Sequence, residues 1–307
     1  MKPLPSRILV AGAGGLIGRA LIGSLRRQNC EVRRLVRRKS ATHDEFEWDP
    51  TAQRIDESAL DGVSAVINLA GANVADGRWT KRRKELIRAS RVDSTRVLVD
   101  AIARRAVGQR PSLLINASAA GWYGDTTDRT ADESSLSGHG FLAQVCAAWE
   151  GAALRAEELD VRTVRLRLGV VLSKQGGALA KMLPAFKLGL GGRLGSGTQR
   201  MSWITMTDVI AIIERVLSDE TITGAINAVS PAPATNTEFA RTLGDVLHRP
   251  AFLPVPAWVL RLVFGQMADE ALLADSGVVP AKLLATGFTF AHSELRSALQ
   301  VALDEGA

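Results

Sequence analysis

Three glycines, Gly12, Gly15 and Gly18, stand between an apolar run, Ile8-Leu9-Val10-Ala11, and a helical pattern in which Leu16, Ile17, Ala20, Leu21 and Leu25 share one face. Strand, glycine turn and helix form the context in which a pyrophosphate can be held. Glycine permits unusual backbone angles and lets the chain approach the ligand closely, while the helix start offers N–H groups and the positive end of the dipole. The chemistry predicted here is dinucleotide binding, with Gly12, Gly15, Leu16, Ile17 and Gly18 as contact residues. The spacing is G-x-x-G-x-x-G. Counted from Gly12-x-Gly14, Ile17 occupies the last glycine place of the commoner G-x-G-x-x-G. A glycine-rich turn without a ligand is the plainer alternative.

About twenty residues beyond the turn, a second strand pattern, Val32 to Val36, ends at Arg37-Arg38. An acid there would bind the ribose 2′-hydroxyl of NAD, whereas a basic residue neutralises the 2′-phosphate of NADP. The expected cofactor is therefore NADP, with Arg37 and Arg38 at its phosphate; an ordinary solvated strand end is the alternative. Further along, Ala65-Val66-Ile67 runs into Asn68-Leu69-Ala70-Gly71, whose small residues let a cofactor lie close to the backbone. The strand Leu113 to Ser118 delivers Ser118 at its C-terminal end, where open parallel sheets bind ligands. Tyr123, the one tyrosine in the chain, follows five residues later.

The elements needed to position these residues alternate between the two periods. A short third strand ends near Trp48-Asp49-Pro50. Lys81 to Arg105 reads as one long amphipathic helix, which contains Ser90-Arg91-Val92-Asp93-Ser94-Thr95. Phe141 to Glu158 reads as another helix, and Val161 to Leu168 as a sixth strand with Arg162, Arg165 and Arg167 outward. Gly169-Val170-Val171-Leu172 continues from it and brings Val170 to the nicotinamide side. Thr207-Asp208 is placed to cap a helix from Val209 to Leu217, Ala225 to Val229 adds a strand, and a later helix starts near Glu238. This alternation predicts an α/β protein, a Rossmann-type doubly wound parallel sheet. The expected cofactor-binding domain covers residues 1–173 and about 205–229. Residues 174–204, a glycine-rich insertion, and 230–307, a proline-punctuated and mostly helical stretch, are expected to form a smaller substrate-capping region.

Composition narrows the alternatives. At 307 residues and 46% hydrophobic the chain can bury a full core. The formal charge of +6 is concentrated in Arg33-Arg34, Arg37-Arg38-Lys39 and Lys81-Arg82-Arg83-Lys84 and belongs to no recognisable nucleic-acid module, so no nucleic-acid partner is expected. No apolar leader precedes the first strand, and the run Val255 to Phe264 is too short to span a bilayer. Two cysteines, Cys30 and Cys146, without metal-ligand spacing read as reduced thiols. The expectation is a cytoplasmic protein with a small-molecule substrate, no membrane or metal site, and an oligomeric state that the sequence leaves open.

Several stretches together resemble one family. They are the N-terminal glycine turn, NLAG at Asn68–Gly71, SRVDST at Ser90–Thr95, SAAGWYGD at Ser118–Asp125, FLAQVCAAWE at Phe141–Glu150 and RLGVVLS at Arg167–Ser173. The run from Gly176 to Ile204 and GFTF at Gly287–Phe290 complete the set. The chain is similar, over nearly its whole length, to the atypical extended short-chain dehydrogenase/reductases grouped as nucleoside-diphosphate-sugar epimerase-like proteins with a small C-terminal domain of their own. The resemblance implies NADP(H) binding, and it places Arg91, expected as a cofactor contact, where the extended superfamily has an asparagine, in the motif N-V-x-G-T. Packing of Ser94 and Thr95 against the sheet explains that stretch equally well. Typical extended members also carry a serine and Tyr-x-x-x-Lys. Ser118 matches the serine, but Leu142 and Cys146 fall at the Tyr and Lys positions. Two functions follow. One is an NADP-dependent oxidoreductase or epimerase acting on a small molecule of the nucleotide-sugar kind or another, in which Ser118 polarises a carbonyl and Tyr123 or a water moves the proton. The other is an NADPH-binding redox sensor or partner-binding protein without turnover.

Overall fold

The structure, a computed structural model, describes residues 3–304; residues 1–2 and 305–307 of the two expected regions lie outside the described residues. The elements run β1 (Arg7–Ala11), α1 (Leu16–Arg27), β2 (Glu31–Val36), β3 (Glu45–Asp49), β4 (Arg54–Ile55), β5 (Ala65–Asn68), α2 (Lys81–Arg104), β6 (Leu113–Ala119), α3 (Phe141–Leu154) and β7 (Arg162–Leu168). They continue with β8 (Val170–Leu172), α4 (Gly177–Lys187), β9 (Arg200–Met201), β10 (Trp203–Thr205), α5 (Met206–Ser218), β11 (Gly224–Ala228), β12 (Ala234–Thr235), α6 (Asn236–Leu247), α7 (Ala257–Phe264), α8 (Ala281–Ala285) and α9 (Leu295–Asp304).

Eight strands form one sheet in the order β11-β7-β6-β5-β1-β2-β3-β4, parallel except where β4 folds back on β3. The alternation in β1 decides the layering: Ile8 and Val10 face the helices α1 and α5, while Leu9 and Ala11 face α2 and α3. The strand order reverses around β1, which pairs with β2 on one side and β5 on the other. Loops after β1 and β5 therefore diverge, leaving the crevice at the carboxyl edge where such sheets hold ligands.

A second apolar cluster lies beyond the sheet. Leu172, Leu179, Leu183, Phe186 and Trp203 pack with Phe239, Leu243, Leu295 and Leu299, joining β8, α4 and β10 to α6 and α9. The glycine-rich insertion is thus a folded part of this cluster, containing α4, β9 and the start of β10. Two boundaries differ from the sequence reading. Helix α3 ends at Leu154, and the chain turns through a short 3-10 segment to Asp160, which takes a left-handed backbone angle. The cap of α5 is Thr205, not Thr207-Asp208: Thr205 accepts from the Asp208 N–H at 3.1 Å, and Asp208 accepts in turn from the Thr205 hydroxyl and the Ala291 N–H.

Candidate functional site

The crevice begins at the glycine turn, where the three motif glycines and Gly14 have different reasons to lack a side chain. Gly12 has φ +80°, and a Cβ there would lie 2.6 Å from the Leu69 carbonyl carbon; a Cβ on Gly18 would collide with the Gly12 carbonyl oxygen. These two close the turn against itself and against β5. Gly15, the N-cap of α1, donates to the Gly12 carbonyl at 3.0 Å, and a Cβ on it would sit 3.2 Å from the same oxygen. Gly14 has nothing within 4 Å of its Cβ position. No side chain caps α1, so its first N–H groups are left for a ligand. A pyrophosphate fits this cradle: open space, a bare helix start and a tightly held backbone behind it. Leu16 closes one side by meeting the Cα region of Gly176 and Gly177 at the start of α4, with 3.5 Å from its Cδ1 to the Cβ position of Gly176.

At the end of β2 the two arginines part company. Arg38 forms a two-pronged pair with Glu45, Nη1 to Oε2 at 2.8 Å and Nη2 to Oε1 at 2.6 Å, and this bond holds the Glu45 carboxyl below its ordinary range. Arg37 is exposed and meets no acceptor among the described residues. The free cation at the predicted phosphate position is therefore Arg37.

Asn68 is buried and works inward. Its Nδ2 donates to Thr95 Oγ1 at 2.9 Å and Asn116 Oδ1 at 2.8 Å, and its Oδ1 accepts from the Ala70 N–H at 3.2 Å. Trp149 Nε1 also donates to Thr95 Oγ1, at 3.0 Å. Asn68 shapes the Leu69-Ala70-Gly71 turn through this network, and Thr95 belongs to the packing behind it. Arg91 emerges beside the turn: its Nη1 donates to the carbonyls of Ala72 and Ile87, both at 3.0 Å, and its guanidinium lies 5.2 Å from the centre of the Trp149 ring. Val170 sits at the start of β8, paired with Trp203, and its side chain packs on the C-terminal apolar cluster.

The carboxyl ends of β6, β7 and β11 carry a row of polar residues in register, Ser118, Arg167 and Asn227. Side chains in register on adjacent parallel strands share a face. The Ser118 hydroxyl donates to Glu150 Oε1 at 2.7 Å. Arg167 grips both Glu150 oxygens, through Nε at 2.8 Å and Nη2 at 2.9 Å, and donates from Nη1 to the Tyr123 hydroxyl at 2.8 Å. Tyr123 donates to Asn227 Oδ1 at 2.7 Å. None of these five residues is more than 3% exposed. Burial alone would lower the Arg167 pKa, but its bonds and charge pairing with Glu150 hold it above the ordinary value. Burial raises that of Tyr123 despite the neighbouring guanidinium. Arg167 is thus not an outward residue of its strand, and the one tyrosine is enclosed with both roles of its hydroxyl taken.

Helix α3 faces the same place with apolar atoms. Leu142 and Cys146 meet Gly121, whose Cβ position is 3.3 Å from Leu142 Cβ and 4.0 Å from Cys146 Sγ. Burial, then the Glu150 charge, pushes the Cys146 thiol up to about 11. The C-terminal region closes over the start of this helix, where Glu270 Oε2 accepts from the Leu142 N–H at 2.9 Å. Glu150, Asn227 and the buried setting of Arg167 were not found as site features from sequence. A signal existed in Glu150, a charge on the otherwise apolar face of Val145, Cys146 and Trp149. Among the described residues no group of His, Cys, Asp or Glu side chains is placed to hold a metal, and no helix is long and apolar enough to cross a membrane.

Comparison with known proteins agrees with this geometry. Residues 8–228 match the NAD dependent epimerase/dehydratase family, and residues 255–302 match a domain of unknown function, DUF1731. The chain is 43% identical to epimerase family protein Mb2239 of Mycobacterium bovis, over 95% of this chain and 96% of that protein. It is 37% identical to epimerase family protein SDR39U1 of Homo sapiens, over 96% of this chain and 98% of that one. A crystal structure of human SDR39U1 (isoform 2) with NADPH superposes with a TM-score of 0.86 at 32% identity, covering 97% of this chain and 99% of the other. With a Rossmann-type sheet, the glycine turn at its switch point and this likeness along the whole chain, the protein belongs to the NAD dependent epimerase/dehydratase family.

Proposed function

We propose that the protein binds NADP(H) across the carboxyl edge of the sheet and serves hydride chemistry on a small molecule as an oxidoreductase or epimerase. One observation carries the reading: Gly14 opens on empty space at the bare start of α1, while Gly12 and Gly18 are held closed behind it. Arg37 would meet the 2′-phosphate, Leu69 to Gly71 would lie along the cofactor, and Leu16 and Gly176 would flank it. When bound, the nicotinamide supplies or accepts a hydride.

The chain's own residues set the proton chemistry. Ser118 spends its hydrogen on Glu150, so toward a ligand its oxygen is an acceptor, which suits a substrate hydroxyl better than a carbonyl. Tyr123 holds Arg167 and Asn227 in place, and Leu142 and Cys146 contribute no ionisable group at neutral pH. A proton taken from or given to the substrate therefore passes to water. A nucleotide sugar is the substrate class to try first. The test is NADPH oxidation and NADP reduction against carbonyl, alcohol and sugar-nucleotide panels, in the parent protein and in Ser118→Ala. Turnover that falls in Ser118→Ala supports the reading.

A second reading has its own observation. With an apolar pair at Leu142 and Cys146 and the tyrosine enclosed, the site offers the dinucleotide a place without a side-chain acid free to act, which would suit a redox sensor. Tight NADPH binding with no turnover on any panel selects this reading.

A further inference from the structure

Helix α4 crosses the crevice from one wall to the other. Gly176 and Gly177, at its start, meet Leu16 of α1. One turn on, Lys181 Nζ donates to the Ala75 carbonyl at 2.6 Å and to Asp76 Oδ1 at 3.0 Å, in the loop that leads from β5 into α2. Since α1 and α2 pack on opposite faces of the sheet, these contacts join the two sides of its carboxyl edge. A dinucleotide whose pyrophosphate lies at the β1–α1 turn and whose other half runs over β5 and β6 passes beneath this bridge.

Each side of the bridge is firm in itself. Leu179, Leu183 and Phe186 root α4 in the apolar cluster it shares with α6 and α9. Val74 and Trp79 root the loop in a different cluster, with Phe141 and Met267. Within the loop, Trp79 Nε1 donates to the Val74 carbonyl at 2.8 Å and Asn73 Nδ2 to Asp76 Oδ1 at 2.8 Å, while Arg83 donates to the Asn73 carbonyl and lies 3.8 Å from Asp76. The link between the two sides is of another kind, polar and at the surface, with the side chains of Lys181 and Asp76 48% and 55% exposed. Such a pair contributes little to stability, so it can part without disturbing either cluster.

We propose that Lys181, Ala75 and Asp76 form a latch over the cofactor groove, and that NADP(H) enters and leaves when the latch opens. This inference rests on the NADP(H) reading above. A latch retards exchange in both directions, whereas a direct contact between Lys181 and the cofactor would retard release alone. That difference decides the test.

The double variant Lys181→Met/Asp76→Asn removes the latch and leaves the net charge at the mouth unchanged, so electrostatic steering of the anionic cofactor is preserved. Stopped-flow mixing and displacement of NADPH, followed by its fluorescence, give the two rates. Association and dissociation should each rise about three- to tenfold, the size of an exposed charge-assisted contact, with Kd within about twofold of the parent. In the absence of cofactor, hydrogen exchange at the amides of residues 72–77 should quicken in the variant while the interiors of α2 and α4 keep their protection. Unchanged rates would overturn the latch, as would faster release without faster association, which would make Lys181 a cofactor contact. A parent protein that binds no NADPH removes the cofactor reading itself; unchanged hydrogen exchange at 72–77, by contrast, contradicts the latch alone.

Discussion

The Ser118 hydroxyl donates to the Glu150 carboxylate at 2.7 Å, and that carboxylate is gripped by Arg167 from the neighbouring strand. The serine that sequence places at the reacting end of the sheet is thereby turned from a donor into an acceptor. The same pair fixes Tyr123 through Arg167 and explains why a charged arginine survives in a row of buried residues: each of its three guanidinium nitrogens donates to an acceptor.

Breaking this pair from one side leaves a buried charge alone. Glu150→Ala should cost about 3–5 kcal/mol of stability, and Ser118→Ala only about 1–3 kcal/mol, since the pair itself remains. Urea unfolding of both variants measures the difference. A Glu150→Ala protein no less stable than Ser118→Ala would refute the described coupling.

The glycines give an order of tolerance. Gly18→Ala and Gly12→Ala should each destabilise the protein by more than about 1 kcal/mol, because their side chains would press on the Gly12 carbonyl and the Leu69 backbone. Gly14→Ala should change stability by less than about 0.5 kcal/mol, as expected for a substitution that meets no neighbour. Thermal melts in the absence of cofactor rank the three. Gly15→Val, with its Cβ 3.2 Å from the Gly12 oxygen, mixes the two effects and is the less informative probe.

How much of this was readable from the chain follows from the range of the forces involved. The sheet, with its crossover helices, is written in local periodicity: β1, β5 and β6 show apolar runs ended by small residues, and α1 and α2 repeat every three to four residues. The end of β2 was marked by Arg37-Arg38, yet which of the two is free depends on Glu45, seven residues beyond Arg38 and on the next strand. The local pattern places Arg167 outward, as a strand arginine usually is. Its burial is set by Glu150, Tyr123 and the Trp122 ring 4.1 Å from its Cζ, contacts that no short window contains. Thr205 and Thr207-Asp208 offer equally good local signatures for the α5 cap, and the choice is made by Asp208 bonding back to Thr205 and across to Ala291.

Cys146 should make the fold sensitive to alkali. Its thiol is raised from 9.0 to about 11 by burial, so the folded state holds the proton more tightly than the unfolded chain. The resulting stability is fully present below about pH 9 and is lost as pH rises through about 11. Cys146→Ala should flatten that part of the curve of stability against pH. In the parent at pH 8, iodoacetamide should label Cys146 far more slowly than a free thiol. Fast labelling of the folded protein would contradict the buried assignment.

Arg37 and Arg38 should separate in cofactor selectivity. Arg37→Ala is expected to weaken NADPH by about ten- to a hundredfold and leave NADH nearly unchanged. Arg38→Ala should have the smaller effect on NADPH, because its guanidinium is already committed to Glu45. Isothermal titration with both cofactors decides it; a larger loss in Arg38→Ala would show that the Glu45 pair opens to receive the phosphate.

The most direct measurement is NADPH titration, followed by cofactor fluorescence, of the parent protein and of Gly14→Val, with circular dichroism and a melting curve on the same samples. The side chain enters the space left in front of α1 without touching the surrounding backbone at its Cβ. The account predicts saturable binding by the parent, a folded Gly14→Val protein of near-parental stability, and loss of NADPH binding by at least about a hundredfold. A folded Gly14→Val protein that binds NADPH like the parent would contradict the placement of the cofactor at this turn.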